Sequence, residues 1–215
     1  MRPVTVTVGP LTAASANNIC LSQSPTAAFT INGALAAAGV ATLDNARRVL
    51  FTTAADESAK TFTLIGTNVS GGTQSETLTG PAIGTVASVL DYKTVTAITI
   101  NSASAGAITV GTNGVAASQW VRFDDFAPSM ISIQCSVTGT VNYTIQSTLQ
   151  DPNSATNPVT PSSLVWVNTS DTAGVGATGT IQSNFQFAPT FARVLLNSGA
   201  GSVSAVFLQS NNGPV

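Results

Sequence analysis

Almost every apolar run in this chain repeats with a period of two. Val4, Val6 and Val8 alternate with threonine in "VTVTV", and Phe62 and Leu64 do so in "TFTLI". The same pattern recurs in "VTAITI" (95–100), "AITV" (107–110), "MISIQCSV" (130–137), "VNYTIQSTL" (141–149), "LVWV" (164–167), "IQSNFQF" (181–187), "FARVLL" (191–196) and "VSAVFL" (203–208). Successive side chains of an extended strand point to opposite faces, so such runs bury one face and wet the other. Most runs are short, rich in β-branched residues, and bounded by Gly, Asn, Ser or Pro. Together they predict an all-β sandwich or barrel. The small-residue stretch "GALAAAGVATL" (33–43) reads as a buried turn of helix or a strand. No long amphipathic helix is expected.

Two segments look alike. "TVTAITINSASAGAITV" begins at Thr94 and "TFARVLLNSGAGSVSAV" at Thr190, with Asn101 and Asn197 at matching places. Asn and Ser at a strand end favour a turn through side-chain to backbone hydrogen bonds. The repeat predicts two β-sandwich or jelly-roll-like modules, each closing with a hairpin. The alternation breaks at "VAASQWVRFDDFAP", where Trp120, Phe123 and Phe126 suit a short linker that staples the modules. The expected division is an N-terminal arm over 1–20, a first module over 21–118 and a second over 119–215. The arm carries Val4, Val6 and Val8, and adds a strand either to its own sheet or to a neighbour's. Within "TFTLIGTNVSGGTQSETLTG" (61–80) a three-residue loop, Ser70 to Gly72, sets Leu78 opposite Leu64 and supplies a left-handed glycine at Gly72. Long loops are expected at 150–163, with Pro158 and Pro161, and at 168–180. Ordered loops of that length commonly make contacts.

Composition narrows the function. The chain has 215 residues, 43% of them hydrophobic, which is enough for a real core. Only 7% are charged, against roughly 25% in ordinary soluble proteins. Seven cations against nine carboxylates cannot build the cationic stripe that nucleic acid needs. Arg47-Arg48 is the one basic doublet and reads as a strand-edge or interface pair. The start of the chain alternates and lacks a continuous apolar core, so no secretory leader is expected. No run reaches the roughly 18 apolar residues that span a bilayer. Cys20 and Cys135 read as buried free thiols, with a disulfide as the alternative.

Catalysis has few routes. Without histidine there is no imidazole acid or base and no Ser-His-Asp or Cys-His arrangement. Two cysteines alone cannot supply the four ligands of a zinc site. No Gly-rich phosphate loop follows a strand. Glu57, Glu76, Asp124 and Asp125 are the candidates for a glycosidase pair, with Asp56, Asp91 and Asp151 behind them. Asp124 and Asp125 are adjacent and point apart on a strand. Asp56-Glu57 beside Lys60 reads as solvated turn charge. The expectation is a non-enzymatic protein with no cofactor, no metal and no small-molecule substrate.

The stretches "RRVLFTTAADESAKTFTLIGTNVSGGTQSETLTGP" and "VTAITINSASAGAITVGTNG" resemble a module of small virion proteins of tailed bacteriophages. There a strand, an Asp-Glu-Ser turn, a T-F-T-h-x-G-T run, a glycine turn and an x-E-T-h run precede a V-x-x-I-x-I hairpin. "SMISIQCSVTGTVNYTIQSTLQDPNS" is similar to phage proteins with an h-S-I-Q-V-S-V-T-G-T-x-x-Y-T-V-Q-x-T run. The resemblance covers roughly residues 45 to 210 and holds no chemical signature. It implies a virion structural protein built of β-sandwich modules, closest to a capsid decoration (cement) protein. Such a protein binds the capsid exterior after assembly in the host bacterial cytoplasm. Its implied partners are the major capsid protein and copies of itself, as a dimer or trimer. Expected contact residues are Val4, Val6, Val8, Arg47, Arg48, Trp120, Phe123, Phe126, Pro158 and Pro161. The alternatives are a tail- or fibre-associated binding module, or a carbohydrate-binding or hydrolysing β protein using Trp120, Trp166 and the carboxylates.

Overall fold

The computed structural model describes residues 3–124 and 130–209. Those residues are all-β, with sixteen strands and no α-helix. In chain order the strands are β1 (Val4–Val8), β2 (Ser15–Gln23), β3 (Ala36–Ala37), β4 (Val40–Thr53), β5 (Thr61–Thr67), β6 (Thr73–Thr79), β7 (Gly84–Ala87) and β8 (Tyr92–Ile100). There follow β9 (Ile108–Ala117), β10 (Val121–Arg122), β11 (Ile131–Thr138), β12 (Asn142–Thr148), β13 (Val167–Asn168), β14 (Ile181–Phe185), β15 (Phe191–Ser198) and β16 (Ser202–Gln209). The chain divides into two compact units. One is continuous, Thr12–Gly114; the other is discontinuous, Met1–Leu11 with Val115–Val215. The first is therefore an insert, entered after β1 and left within β9.

In the discontinuous unit one sheet has the order β1-β16-β11-β14, all antiparallel. Facing strands include β12, which pairs with β13 and β15, while β15 also pairs with β10 and with Ala116–Ala117 of β9. Ile133, Cys135, Ala205 and Phe207 from the first sheet and Tyr143, Ile145, Val194 and Leu196 from the second fill one core. The first strand of the segment expected as an arm joins its own sheet rather than a neighbour's, one of the two alternatives. Val4–Val8 pairs with β16 from Val4↔Phe207 to Val8↔Val203, and Val6 and Val8 are buried. Residues 15–20 lie in β2 of the insert.

The expected closing hairpins are also corrected. β11 pairs with β16 in one sheet, and β12 with β15 in the other. Each link, from Thr138 to Asn142 and from Ser198 to Ser202, is thus an arch from sheet to sheet. The arches stack, with the Gly201 N–H donating to Thr140 O at 2.9 Å. A Cβ on Gly201 would collide with the Thr138 carbonyl, so only glycine fits this approach. β8 and β9 do not form a hairpin either, because β4 lies between them.

In the insert the strand order is β9-β4-β8-β5-β6, with β2 on β9 and both β3 and β7 on β4. The long β4 pairs first with β8 and then with β7. The small-residue stretch near 33–43 is a two-residue hairpin, with Ala38 at φ 50° and Gly39 at φ 79°. Phe51 and Phe62 stack with centroids 4.9 Å apart, and Phe29 meets both edge-on at 6.1 Å. The β5–β6 loop runs from Asn68 to Gly72 and sets Leu78 opposite Phe62. It is longer by two residues than the expected loop. A two-residue slip leaves every side chain on its face, so Leu78 still joins Phe62 and Leu64 in the core. The left-handed residue is Gly71, at φ 83°. Asn68 Oδ1 accepts from the Ser70 and Gly72 N–H groups, both at 2.9 Å, and closes the loop.

Candidate interaction surface

At the end of β12 the discontinuous unit leaves apolar side chains in solvent. Leu149 is 67% exposed, Val165 60%, Val167 60% and Phe187 47%. They line one groove of about 300 Å³. Local hydrogen bonds fix its walls. Thr190 Oγ1 donates to Leu149 O at 2.9 Å, Val165 N–H donates to Gln150 Oε1 at 2.6 Å, and Val167 pairs with Ser147.

Trp166, between the two exposed valines, is half-buried. Its ring lies 5.3 Å from that of Trp120, and the Arg193 guanidinium sits 4.3 Å over it. Trp120 also meets Phe191 at 6.2 Å. Arg193 donates to Gln146 Oε1 at 3.0 Å, which holds it in place. One face of Trp166 is therefore occupied by a cation, a stacking that suits an arginine fork. The 150–163 loop is anchored at its start. Asp151 accepts from Arg122 at 3.0 Å and from the Asn153 N–H at 2.7 Å, and its carbonyl accepts from Val159 N–H. Pro158 is exposed on this loop; Pro161, half-buried, opens the short 3-10 turn Pro161–Ser163.

The other expected contact residues fall elsewhere. Val4 is half-buried, while Val6 and Val8 fill the core. Phe123 is also core, edge-on to Phe185 at 6.2 Å and to Phe207 at 6.0 Å. Phe126 lies outside the described residues. Arg47 is 1% exposed, its guanidinium turned inward, so it offers no surface. Arg48 is half-buried and pairs with Asp91 at 3.6 Å. Among the expected positions, Trp120 meets Trp166, which stands between the exposed valines, and Pro161 opens the short turn that precedes them in the chain. Leu149, Val165, Val167 and Phe187 were not singled out from the sequence. Alternation marks "LVWV" as two-faced, yet it does not say which face is wet. Here Leu164 is buried and the valines are exposed.

The carboxylates are engaged in structure. Glu57 is fully buried, which corrects the solvated-turn reading. Its Oε1 accepts from the Ala105 and Gly106 N–H groups, and its Oε2 meets Lys60 Nζ at 2.8 Å. Glu76 accepts from Val89 N–H at 2.7 Å and Leu90 N–H at 3.1 Å. Burial nevertheless raises its carboxyl above the ordinary value. Among the described residues no three His, Cys, Asp or Glu side chains gather to hold a metal. Cys20 and Cys135 are free and buried, each in its own unit's core. Burial pushes their thiols up to about 12 and about 11. Compared with known proteins, the chain matches no family model, no curated protein and no solved structure.

Proposed function

We propose that this protein is a non-enzymatic structural component of a tailed-phage virion, which binds the outside of the assembled capsid and bridges neighbouring subunits. The observation that carries the reading is the apolar groove of Leu149, Val165, Val167 and Phe187. Contiguous exposed apolar side chains mark a contact surface. Covering such a side chain contributes about 1.5–3 kcal/mol before the cost of association. One groove is thus a modest contact. Repetition over a symmetric shell makes the sum strong. The phage-like runs described from the sequence supply the identity of the partner, the major capsid protein. The same unit carries Arg122, Trp120 and Trp166, residue types that dominate contact energy.

The test is capsid breakage on heating. Particles lacking the protein break at a lower temperature, and adding it back restores them. Protein carrying Leu149→Asp and Val167→Asp does not restore them. Unchanged breakage without the protein sinks the cement role, and labelling confined to the tail moves the protein to the tail-associated alternative. A carbohydrate reading rests on the close pair Trp120–Trp166. It is disfavoured by Arg193 over the Trp166 face, and glycan binding lost in Trp120→Ala would revive it.

A further inference from the structure

Arg47 occupies a core position in β4, in line with Val49 and Phe51, where an apolar residue would ordinarily stand. Pairing of β4 with β8 is irregular between Thr42 and Arg47, and Ala46 and Arg47 are both buried in succession. That break in alternation turns the guanidinium inward. Its Nη1 donates to Thr12 O at 2.9 Å, to Thr12 Oγ1 at 3.1 Å and to the Asp44 carboxylate at 3.3 Å. Its Nη2 donates to Asn113 O. Asp44 Oδ2 accepts in turn from the Thr12 N–H at 2.7 Å and from Thr12 Oγ1 at 2.9 Å. Lys93 Nζ holds the irregular stretch of β4 by donating to the carbonyls of Leu43 and Asp44, at 2.7 and 2.9 Å.

The two segments held here are special in the chain. Thr12 is the first residue of the insert, and Asn113 precedes its last residue, Gly114. They are the two places where the backbone enters and leaves. The β2–β9 ladder ends inside them, at Ser15↔Thr112. Beyond that pair, the carbonyls of Thr12 and Asn113 are both acceptors and cannot bond each other. A guanidinium offers five donors in a fixed fork and can serve two acceptors at once. A single ammonium is a point charge without that reach.

We infer that Arg47 is a clasp closing the base of the insert, tying its two chain passages together where the β ladder has already ended. Asp44 keeps the buried guanidinium compensated, since an unpaired buried charge is costly. The clasp makes release of the two passages one event.

Hydrogen exchange on the full chain tests this. In Arg47→Met the amides of residues 12–15 and 112–115 exchange at least about tenfold faster together. Those of β5 and of the Phe51 region keep their wild-type rates. Unchanged rates at both passages would show that the ladder suffices and overturn the clasp, as would acceleration at one passage alone. Loss of protection across the whole insert would show a general core role and overturn it too. Should Arg47→Met not fold, Asp44→Asn serves. Asp44 bonds Thr12, Asn45 and Arg47. Faster exchange must then appear at 112–115 as well as at 12–15. Acceleration confined to 12–15 overturns the inference.

Discussion

In the insert, Arg47, Glu57 and Asp91 are 1%, 0% and 7% exposed; in the discontinuous unit, Leu149, Val165, Val167 and Phe187 stand in solvent. The two units place most of their charges differently, although the insert also exposes Ile83 and Val89 and the discontinuous unit also buries Arg193. The insert turns several of its charges inward to pin backbone. Arg47 holds two carbonyls, Glu57 holds the N–H groups of Ala105 and Gly106, and Glu76 holds those of Val89 and Leu90. The discontinuous unit closes its core with Phe123, Phe185, Phe207 and Tyr143. Its ion pair Arg122–Asp151 lies at the surface, where Arg122 is 46% exposed. What differs is where a sparse set of charges is placed. One unit uses several of them as internal fasteners of backbone, and the other gathers exposed apolar side chains into one groove.

The comparison breaks most visibly in the core. Phe123→Ala destabilises the discontinuous unit by about 3–5 kcal/mol, read by urea unfolding. A surface linker residue would leave stability nearly unchanged, so a small effect restores the staple reading. Next comes the charge side. Glu57→Gln keeps one acceptor for the Ala105 and Gly106 N–H groups but leaves Lys60 without its counter-charge. It costs about 2 kcal/mol in the same assay, and an insert of unchanged stability contradicts the fastener role. Leu149→Asp, by contrast, changes stability by no more than about 0.5 kcal/mol while abolishing retention on capsids.

A smaller effect follows from pH. Burial pushes the Asp44 carboxyl up, but donors from Thr12 and Asn45 and the Arg47 charge outweigh it and hold it below its ordinary 3.8. The folded state therefore favours the ionised form. That stabilisation is complete above pH 3.8 and is lost as pH falls through the depressed value. Arg47 is the charged group that faces the carboxylate, while Lys93 donates to the Asp44 main-chain carbonyl. Exchange at residues 12–15, corrected for its intrinsic acid dependence, rises in that window, and Asp44→Asn removes the rise. The least visible effect is chemical. With thiols at about 12 and about 11, Cys20 and Cys135 resist alkylation at pH 8 until the protein unfolds.

Half of the sixteen strands were legible as alternation. β1, β5, β8, β11, β12, β14, β15 and β16 lie where the period of two ran. Partners were not legible, because alternation reports a face and not a neighbour. Two strands that bury the same kind of face read alike whether a hairpin or an arch joins them, so β15 and β16 looked like a hairpin. Val4–Val8 pairs with a strand some two hundred residues away, a contact that no local pattern encodes. The β5–β6 loop shows the reverse. Its length was misread by two residues, yet the buried face was right, since the slip preserves parity. Arg47 and Glu57 were misread because charge on a strand or turn ordinarily means solvent. The backbone acceptors and donors around them, together with the counter-charges of Asp44 and Lys60, make burial tolerable. The groove escaped notice for a different reason: its apolar residues come from three separate places along the chain, and the alternation of Val165 and Val167 names a face without saying that it is the wet one.

The most direct test of the proposed role is a reconstruction of the phage particle that traces this chain. The expected result is a protein on the capsid exterior with Leu149, Val165, Val167 and Phe187 covered by a neighbouring capsid subunit. A chain found only at the tail, or one on the shell with that groove open to solvent, contradicts it.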